Sequence, residues 1–154
     1  MGGRYSAGFT RAGINAANSP VAQLRNTSTT TKLYIVEIGV GVGVAPTTAP
    51  AFYLSRSSAI GTSTATLAGQ PRDSGDPAAL GTLDSTWSAN PTFSTTAFMR
   101  FGGLAVTAGG FLIWTFYDAP LVIAASTTVG LVIANNAASG ATLGTFTGYV
   151  DWDE

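Results

Sequence analysis

The eight acidic residues are the first candidates for chemistry in this chain. Only two groups of them lie close in sequence, and neither has the spacing of a calcium-binding loop. A glycosidase would need two carboxylates facing each other across a cleft, and the sequence neither selects nor excludes such a pair. We interpret the last group as a solvated charged tail that keeps the final strand from pairing with other chains. The eight residues are Glu37, Asp73, Asp76, Asp84, Asp118, Asp151, Asp153 and Glu154.

Few residues of this chain could support other kinds of catalysis. The chain has no histidine and no cysteine, which removes the commonest general base and the commonest transition-metal ligands. Lys32 is the sole lysine, and no Ser-x-x-Lys motif precedes it. The run from Gly39 to Val44 alternates glycine and valine but lacks the Lys-Ser/Thr pair of a phosphate-binding loop, so it predicts a strand that bends or approaches another backbone closely. We therefore expect no catalytic residue, no cofactor, no metal ligand and no enzymatic activity.

The candidates for binding are two cations and three aromatic residues. Residues 1–20 are rich in small and polar residues, and predict either a frayed terminus or an arm that docks on a neighbouring subunit. Residues 69–92 are interpreted as a long loop, with one helical turn over Pro77–Leu80 and a tryptophan that pins the loop to the body. The candidate interface residues are Arg4, Tyr5, Phe9 and Arg11 in the arm and Trp87 in the loop.

Composition sets the class of protein. The 154 residues predict one domain, with 45% hydrophobic but only 10% charged residues and a formal net charge of −1. A net charge this small provides no basic surface for binding nucleic acid. A weakly charged surface also associates readily with other proteins. No secretory signal is visible, and the most apolar run, 101–116, is too short and too rich in glycine to span a membrane. We expect synthesis in a cytoplasm and a place in an assembly.

Short apolar runs separated by Gly, Pro, Asn, Asp and Ser predict antiparallel strands. The run 33–40 is typical of a strand buried on both faces. Within it, Glu37 is expected either to face the mouth of the barrel or to pair with a cation, for which Arg56 and Arg100 are the candidates. In the last strand, Phe146, Val150 and Trp152 alternate with polar residues, so one face is core. The predicted fold is all-β: an antiparallel two-sheet sandwich of jelly-roll type over residues 21–154, with an extended N-terminal arm over residues 1–20.

Several short blocks, read together, resemble small structural proteins found with the heads of tailed bacteriophages. The resemblance covers residues 20–154. The blocks are Ala22-Gln23-Leu24-Arg25, the run 33–40, Asp76-Pro77-Ala78-Ala79, Ser85-Thr86-Trp87-Ser88, Asn90-Pro91-Thr92, Trp114 with Pro120-Leu121-Val122-Ile123, and Val150-Asp151-Trp152-Asp153-Glu154.

The resemblance implies a capsid decoration, or cement, protein on the outside of the virion. Such a protein is expected to be a trimeric β-sandwich that bridges subunits of the major capsid protein, with no nucleic acid, membrane or cofactor as partner. The main rival is a carbohydrate-binding β-sandwich of a phage fibre or a lectin, in which Trp87 would stack on the sugar.

Overall fold

The structure is a computed structural model and describes residues 2–14, 16–137 and 143–154. In these residues the chain forms strands joined by turns and contains no α-helix, hence none able to cross a bilayer. The strands are β1 (Arg4–Ile14), β2 (Ser19–Asn26), β3 (Leu33–Val44), β4 (Ala51–Ala59), β5 (Thr62–Ala68), β6 (Gln70–Pro71), β7 (Gly81–Ala89), β8 (Thr92–Phe93), β9 (Arg100–Gly103), β10 (Phe111–Thr115), β11 (Leu121–Ile123), β12 (Gly130–Asn135) and β13 (Gly144–Asp153).

The strands form two antiparallel sheets. The first, here called the front sheet, has the order β10-β3-β13-β1-β6, with β11 also paired to β3. The second, the back sheet, has the order β5-β7-β2-β12-β4-β8, with β9 also paired to β4. The prediction of an all-β, two-sheet antiparallel fold is confirmed, while the jelly-roll connectivity stays a prediction.

The core lies between the two sheets and is built by period-2 alternation. In β13, Phe146, Val150 and Trp152 are buried, as the alternation predicted. Phe146 meets Phe52 of the back sheet edge-on, with ring centroids 5.0 Å apart. Trp114 is also buried, so Phe146, Trp152 and Trp114 are core residues and are not available to a ligand.

The prediction of an N-terminal arm is wrong for residues 4–14. These residues form β1, which pairs with β13 from Arg4↔Asp153 to Ile14↔Gly144 and takes a place inside the front sheet. The sequence signal was the alternation of Tyr5, Ala7 and Phe9, all of which are buried. The small and polar residues around them concealed this signal, because they make the segment as a whole look like a solvated terminus.

The long loop predicted over residues 69–92 is also wrong. It contains β7, which pairs with β2 and β5, and the short strands β6 and β8. Residues 77–80 form no helical turn. The prediction failed because Asp84 and Ser85 are polar yet buried in β7, so the expected apolar pattern of a strand is broken.

Candidate binding surfaces

The five predicted interface residues fall into three environments. Tyr5 and Phe9 lie in the core, where Tyr5 stacks on Trp152 and donates its hydroxyl to the Pro77 carbonyl at 3.1 Å. Arg4 forms a two-pronged ion pair with Asp153, at 2.7 and 2.9 Å. Neither aromatic residue is available to a partner, so the docking role predicted for them is wrong.

The other two predicted residues, Arg11 and Trp87, lie together at one end of the sandwich. The guanidinium of Arg11 is 6.0 Å from the centre of the Trp87 indole, close enough for a cation–π contact. Trp87 belongs to β7 and is half-buried, and its stacking on a sugar stays a prediction. Burial lowers the pKa of Arg11 from its ordinary value.

The outer face of the front sheet is built on rows of residues that cross four strands. One row runs Phe111–Gly41–Thr147–Thr10, and the next runs Ile113–Gly39–Tyr149–Gly8. In the second row large side chains alternate with glycines, and in the first row Phe111 lies next to Gly41. Each ring can lean over a neighbouring glycine, a recurrent way of covering a glycine in a sheet.

Gly39 shows how closely the two rings approach the backbone. A Cβ atom at Gly39 would lie 2.4 Å from Tyr149 and 2.5 Å from Phe111, far inside van der Waals contact. The rings of Phe111 and Tyr149 are close to parallel, at 16°, with centroids 6.0 Å apart. Both rings thus rest on the sheet, and Phe111 keeps 46% of its surface exposed. We call this pair the aromatic platform.

A carboxylate fixes one edge of the platform. Glu37 accepts hydrogen bonds from the hydroxyls of Tyr149 at 2.5 Å and Tyr117 at 2.9 Å. These two bonds lower the pKa of Glu37. Burial, followed by the bond to Glu37, raises the pKa of Tyr149 to about 12.

The predicted cation partners of Glu37 are wrong. Arg56 donates instead to the carbonyl of Val122, and the guanidinium of Arg100 lies 5.2 Å from the centre of the Phe116 ring. Two phenols replace the expected cation because hydroxyl donors can satisfy a half-buried carboxylate without a second charge.

The acidic residues at the end of β13 are not a solvated tail, which corrects the prediction. Asp151 is buried and pairs with Arg72, and Asp153 pairs with Arg4. Glu154 accepts from the backbone N–H groups of residues 80 and 81 and from the indole of Trp152. Strand β13 lies between β3 and β1, so these charges fasten the strand in the sheet and do not guard a free edge.

A trough of about 690 Å³ begins at the aromatic platform. It runs over the strands of the front sheet towards the back sheet. At its far end it passes the edge of β1 and reaches Leu67 of β5 and Ser85 of β7. Every residue that lines it is uncharged at neutral pH. The lining residues are Gly8, Phe9, Thr10, Leu67, Ser85, Phe111, Thr147, Gly148 and Tyr149.

The outer face of the back sheet carries a different aromatic group. Tyr53 is fully buried there and packs against Phe98, with ring centroids 4.3 Å apart. Phe98 stacks in turn on Phe101 at 5.6 Å, and Phe101 is 53% exposed. Phe93 contacts the other side of Tyr53 at 6.4 Å. We call these four residues the aromatic ladder.

The same face also carries a buried ion pair. Arg25 of β2 donates to Asp84 of β7 at 2.8 Å, and Thr66 donates its hydroxyl to the second oxygen of Asp84 at 2.7 Å. Asp84 is fully buried, but both of its oxygens have a partner. This arrangement satisfies the carboxylate completely, as a structural charge requires.

The residues that form the two exposed aromatic groups were missed by sequence reasoning, apart from their assignment to strands. The available signal was the Gly-Val alternation of β3, which was interpreted as a place for another backbone. Gly39 makes room for the side chains of Phe111 and Tyr149, whereas Gly41 accommodates both the Phe111 ring and, as predicted, another backbone, the carbonyl of Gly110. Within the described residues, no group of three or more acidic side chains is placed to hold a metal ion.

No protein-family model matches the chain, and no significant match is found among curated proteins.

Proposed function

We propose that the chain is a non-enzymatic structural protein of a tailed-phage virion, a decoration or cement protein that binds the outside of the major capsid protein lattice. The resemblance described above supplies the class of assembly. The observation that carries the proposal is the exposed end of the aromatic ladder, where Phe98 and Phe101 stack on each other at 5.6 Å at the surface.

The surroundings of the ladder suit a protein partner. The segment 90–99 contains no charged residue, so covering it removes no ionised group from water. Arg100, which precedes Phe101, places its guanidinium 5.2 Å from the centre of the buried Phe116 ring. Aromatic residues anchored on a buried neighbour are the typical centres of protein interfaces, because they bury much area and lose little side-chain entropy. Tyr53 provides that anchor, with its hydroxyl bonded to Asn18 at 3.1 Å.

Shell stabilisation follows from mass action. A protein that binds only the assembled lattice lowers the free energy of the lattice, and several weak contacts on one oligomer act at a high effective concentration. The proposed oligomer is a homotrimer. Contacts between neutral groups should depend little on salt.

The proposal is tested by cosedimentation of the purified protein with heads assembled from the major capsid protein alone. Changing Phe98 and Phe101 together to serine should weaken binding by about tenfold or more while the fold is retained. The matched control is Ile113→Ser, which changes an exposed apolar residue of the front sheet. Wild-type protein that does not sediment with the heads, or a double variant that binds as well as wild type, would contradict the proposal.

A further inference from the structure

The trough on the front sheet differs from the ladder in offering polar groups beside its rings. Three of its aliphatic lining side chains, Thr10, Thr147 and Ser85, carry hydroxyls, and the rings of the aromatic platform, Phe111 and Tyr149, line it as well. Its volume of about 690 Å³ falls within the range of small-ligand sites, about 300–1,000 Å³. Because no lining residue is charged at neutral pH, the trough favours a neutral ligand with both apolar and hydroxyl surfaces.

The edge of β1 adds backbone donors and acceptors to the trough. The Gly3 carbonyl accepts from Glu154 on the β13 side, whereas the Arg4 carbonyl accepts from Arg72 on the opposite side. In a β-strand, the backbone groups of successive residues point to opposite sides. The N–H and C=O groups of Gly8 and Thr10 therefore point away from β13, as the carbonyl of Arg4 does. Strand β6 pairs only with Tyr5 and Ser6, so within the described residues no strand pairs with this edge beyond Ser6.

The aromatic platform is held in place before any ligand arrives. The ring of Tyr149 is fixed from below by Gly39 and at its hydroxyl by Glu37. Phe111 is fixed beside it against the same glycine. A ligand that stacks on these rings therefore loses little additional freedom of the protein on binding.

We propose that this trough binds a neutral oligosaccharide. One pyranose ring lays its C–H face on Phe111 and Tyr149, and its hydroxyls bond to Thr10, Thr147 and the free backbone groups of Gly8 and Thr10. Aromatic faces suit the apolar face of a sugar, and uncharged hydroxyl and amide groups match its rim. The inference does not depend on the proposed shell function, and it assigns the sugar to residues other than Trp87.

The test begins with a panel of neutral and acidic oligosaccharides, screened with the whole protein and followed by calorimetric titration of the best neutral binder. Phe111→Ala should weaken binding by about tenfold or more, because the stacking face is lost. Gly8→Leu should also abolish binding, because a Cβ at Gly8 meets only the Gly148 carbonyl at 3.5 Å and the rest of the side chain would fill the trough.

Matched controls lie on the back sheet. Phe101→Ala removes an exposed phenylalanine outside the trough, and a Cβ at Gly103 would meet only the Pro50 carbonyl at 3.7 Å. Phe101→Ala and Gly103→Leu should leave the affinity for the sugar unchanged, and circular dichroism should show that all four variants fold. Failure of every neutral sugar to bind, binding of acidic sugars only, or unchanged affinity in Phe111→Ala or Gly8→Leu would overturn the proposal. The proposal would also be overturned if the trough bound an uncharged peptide and bound no sugar.

Discussion

The outer faces of the two sheets use exposed aromatic residues in opposite ways. On the front sheet, Phe111 and Tyr149 rest on glycines and lie beside hydroxyls and a carboxylate. On the back sheet, Phe98 and Phe101 are stacked on each other over a buried tyrosine, and the charged residue between them, Arg100, places its guanidinium against Phe116. Rings accompanied by polar groups suit a hydroxyl-rich ligand, whereas rings in apolar surroundings suit a protein surface. What surrounds an exposed aromatic residue therefore decides its role more than the ring itself.

Each face also contains a buried carboxylate, and the two differ in how they are satisfied. Asp84 on the back sheet has a partner for each oxygen, and its cation Arg25 is itself only 21% exposed. Asp151 on the front sheet pairs with Arg72, whose side chain is 57% exposed, and its Oδ1 has no hydrogen-bond partner. The back sheet thus depends on its charge pair more than the front sheet does.

The largest expected effect is the loss of the back-sheet carboxylate. Asp84→Ala should lower the free energy of unfolding by about 3–5 kcal/mol, because Arg25 is left partly buried without a counterion. Asp151→Ala should cost less, about 1–3 kcal/mol, because water can solvate the exposed Arg72. Urea unfolding measures both, with Asp118→Ala as the exposed acidic control. The comparison fails if Asp151→Ala proves the more damaging change.

An intermediate effect is expected at the glycines. Gly39→Ala should destabilise the fold by about 1–3 kcal/mol, because the new methyl group displaces both rings of the aromatic platform. Gly103→Ala on the back sheet should change the stability by less than about 1 kcal/mol, since its Cβ has ordinary contacts. Near-ultraviolet circular dichroism should change only in the first variant. A Gly39→Ala protein with unchanged stability and spectrum would show that the rings do not depend on this glycine.

The smallest expected effect is a dependence on alkaline pH. The pKa of Tyr149 is raised from 10.0 to about 12, so its contribution to stability is complete below pH 10 and is lost as the pH rises towards 12. Tyr149→Phe should remove the part of the loss of stability at alkaline pH that comes from ionisation of the Tyr149 phenol. Glu37→Gln should lower the pKa of Tyr149 but leave it raised, because burial remains the larger cause. Urea unfolding at neutral and alkaline pH tests the first expectation, and spectrophotometric titration of the phenols tests the second. A normal pKa for Tyr149 in the wild type would contradict both.

The sequence predicted the class of fold because several strands, among them β3, β10, β11 and β12, are largely continuous apolar runs. It predicted the buried face of β13 from alternation alone. It missed β1 because Tyr5 and Phe9 are separated by small residues, and it missed β7 because Asp84 and Ser85 are buried polar residues. Strand β1 also depends on β13, a partner far away in the chain, and such a partner leaves no local pattern.

The candidate site was less predictable than the fold. Arg11 and Trp87 were identified and do lie together, but Phe111, Tyr149 and Gly39 come from three strands that are distant in sequence. Only the register of β3 with β10 and β13 places the two rings over one glycine. No sequence spacing encodes that register directly, since it results from the packing of the whole front sheet.

The position of β13 also constrains how the molecule folds. This strand lies far along the chain from both β1 and β3, yet it joins β3 to β1 in the middle of the front sheet. During synthesis, β1 and β3 therefore cannot pair with their shared neighbour until residues 144–153 have emerged. We expect slow folding, with the apolar sides of β1 and β3 vulnerable to aggregation until β13 pairs with them.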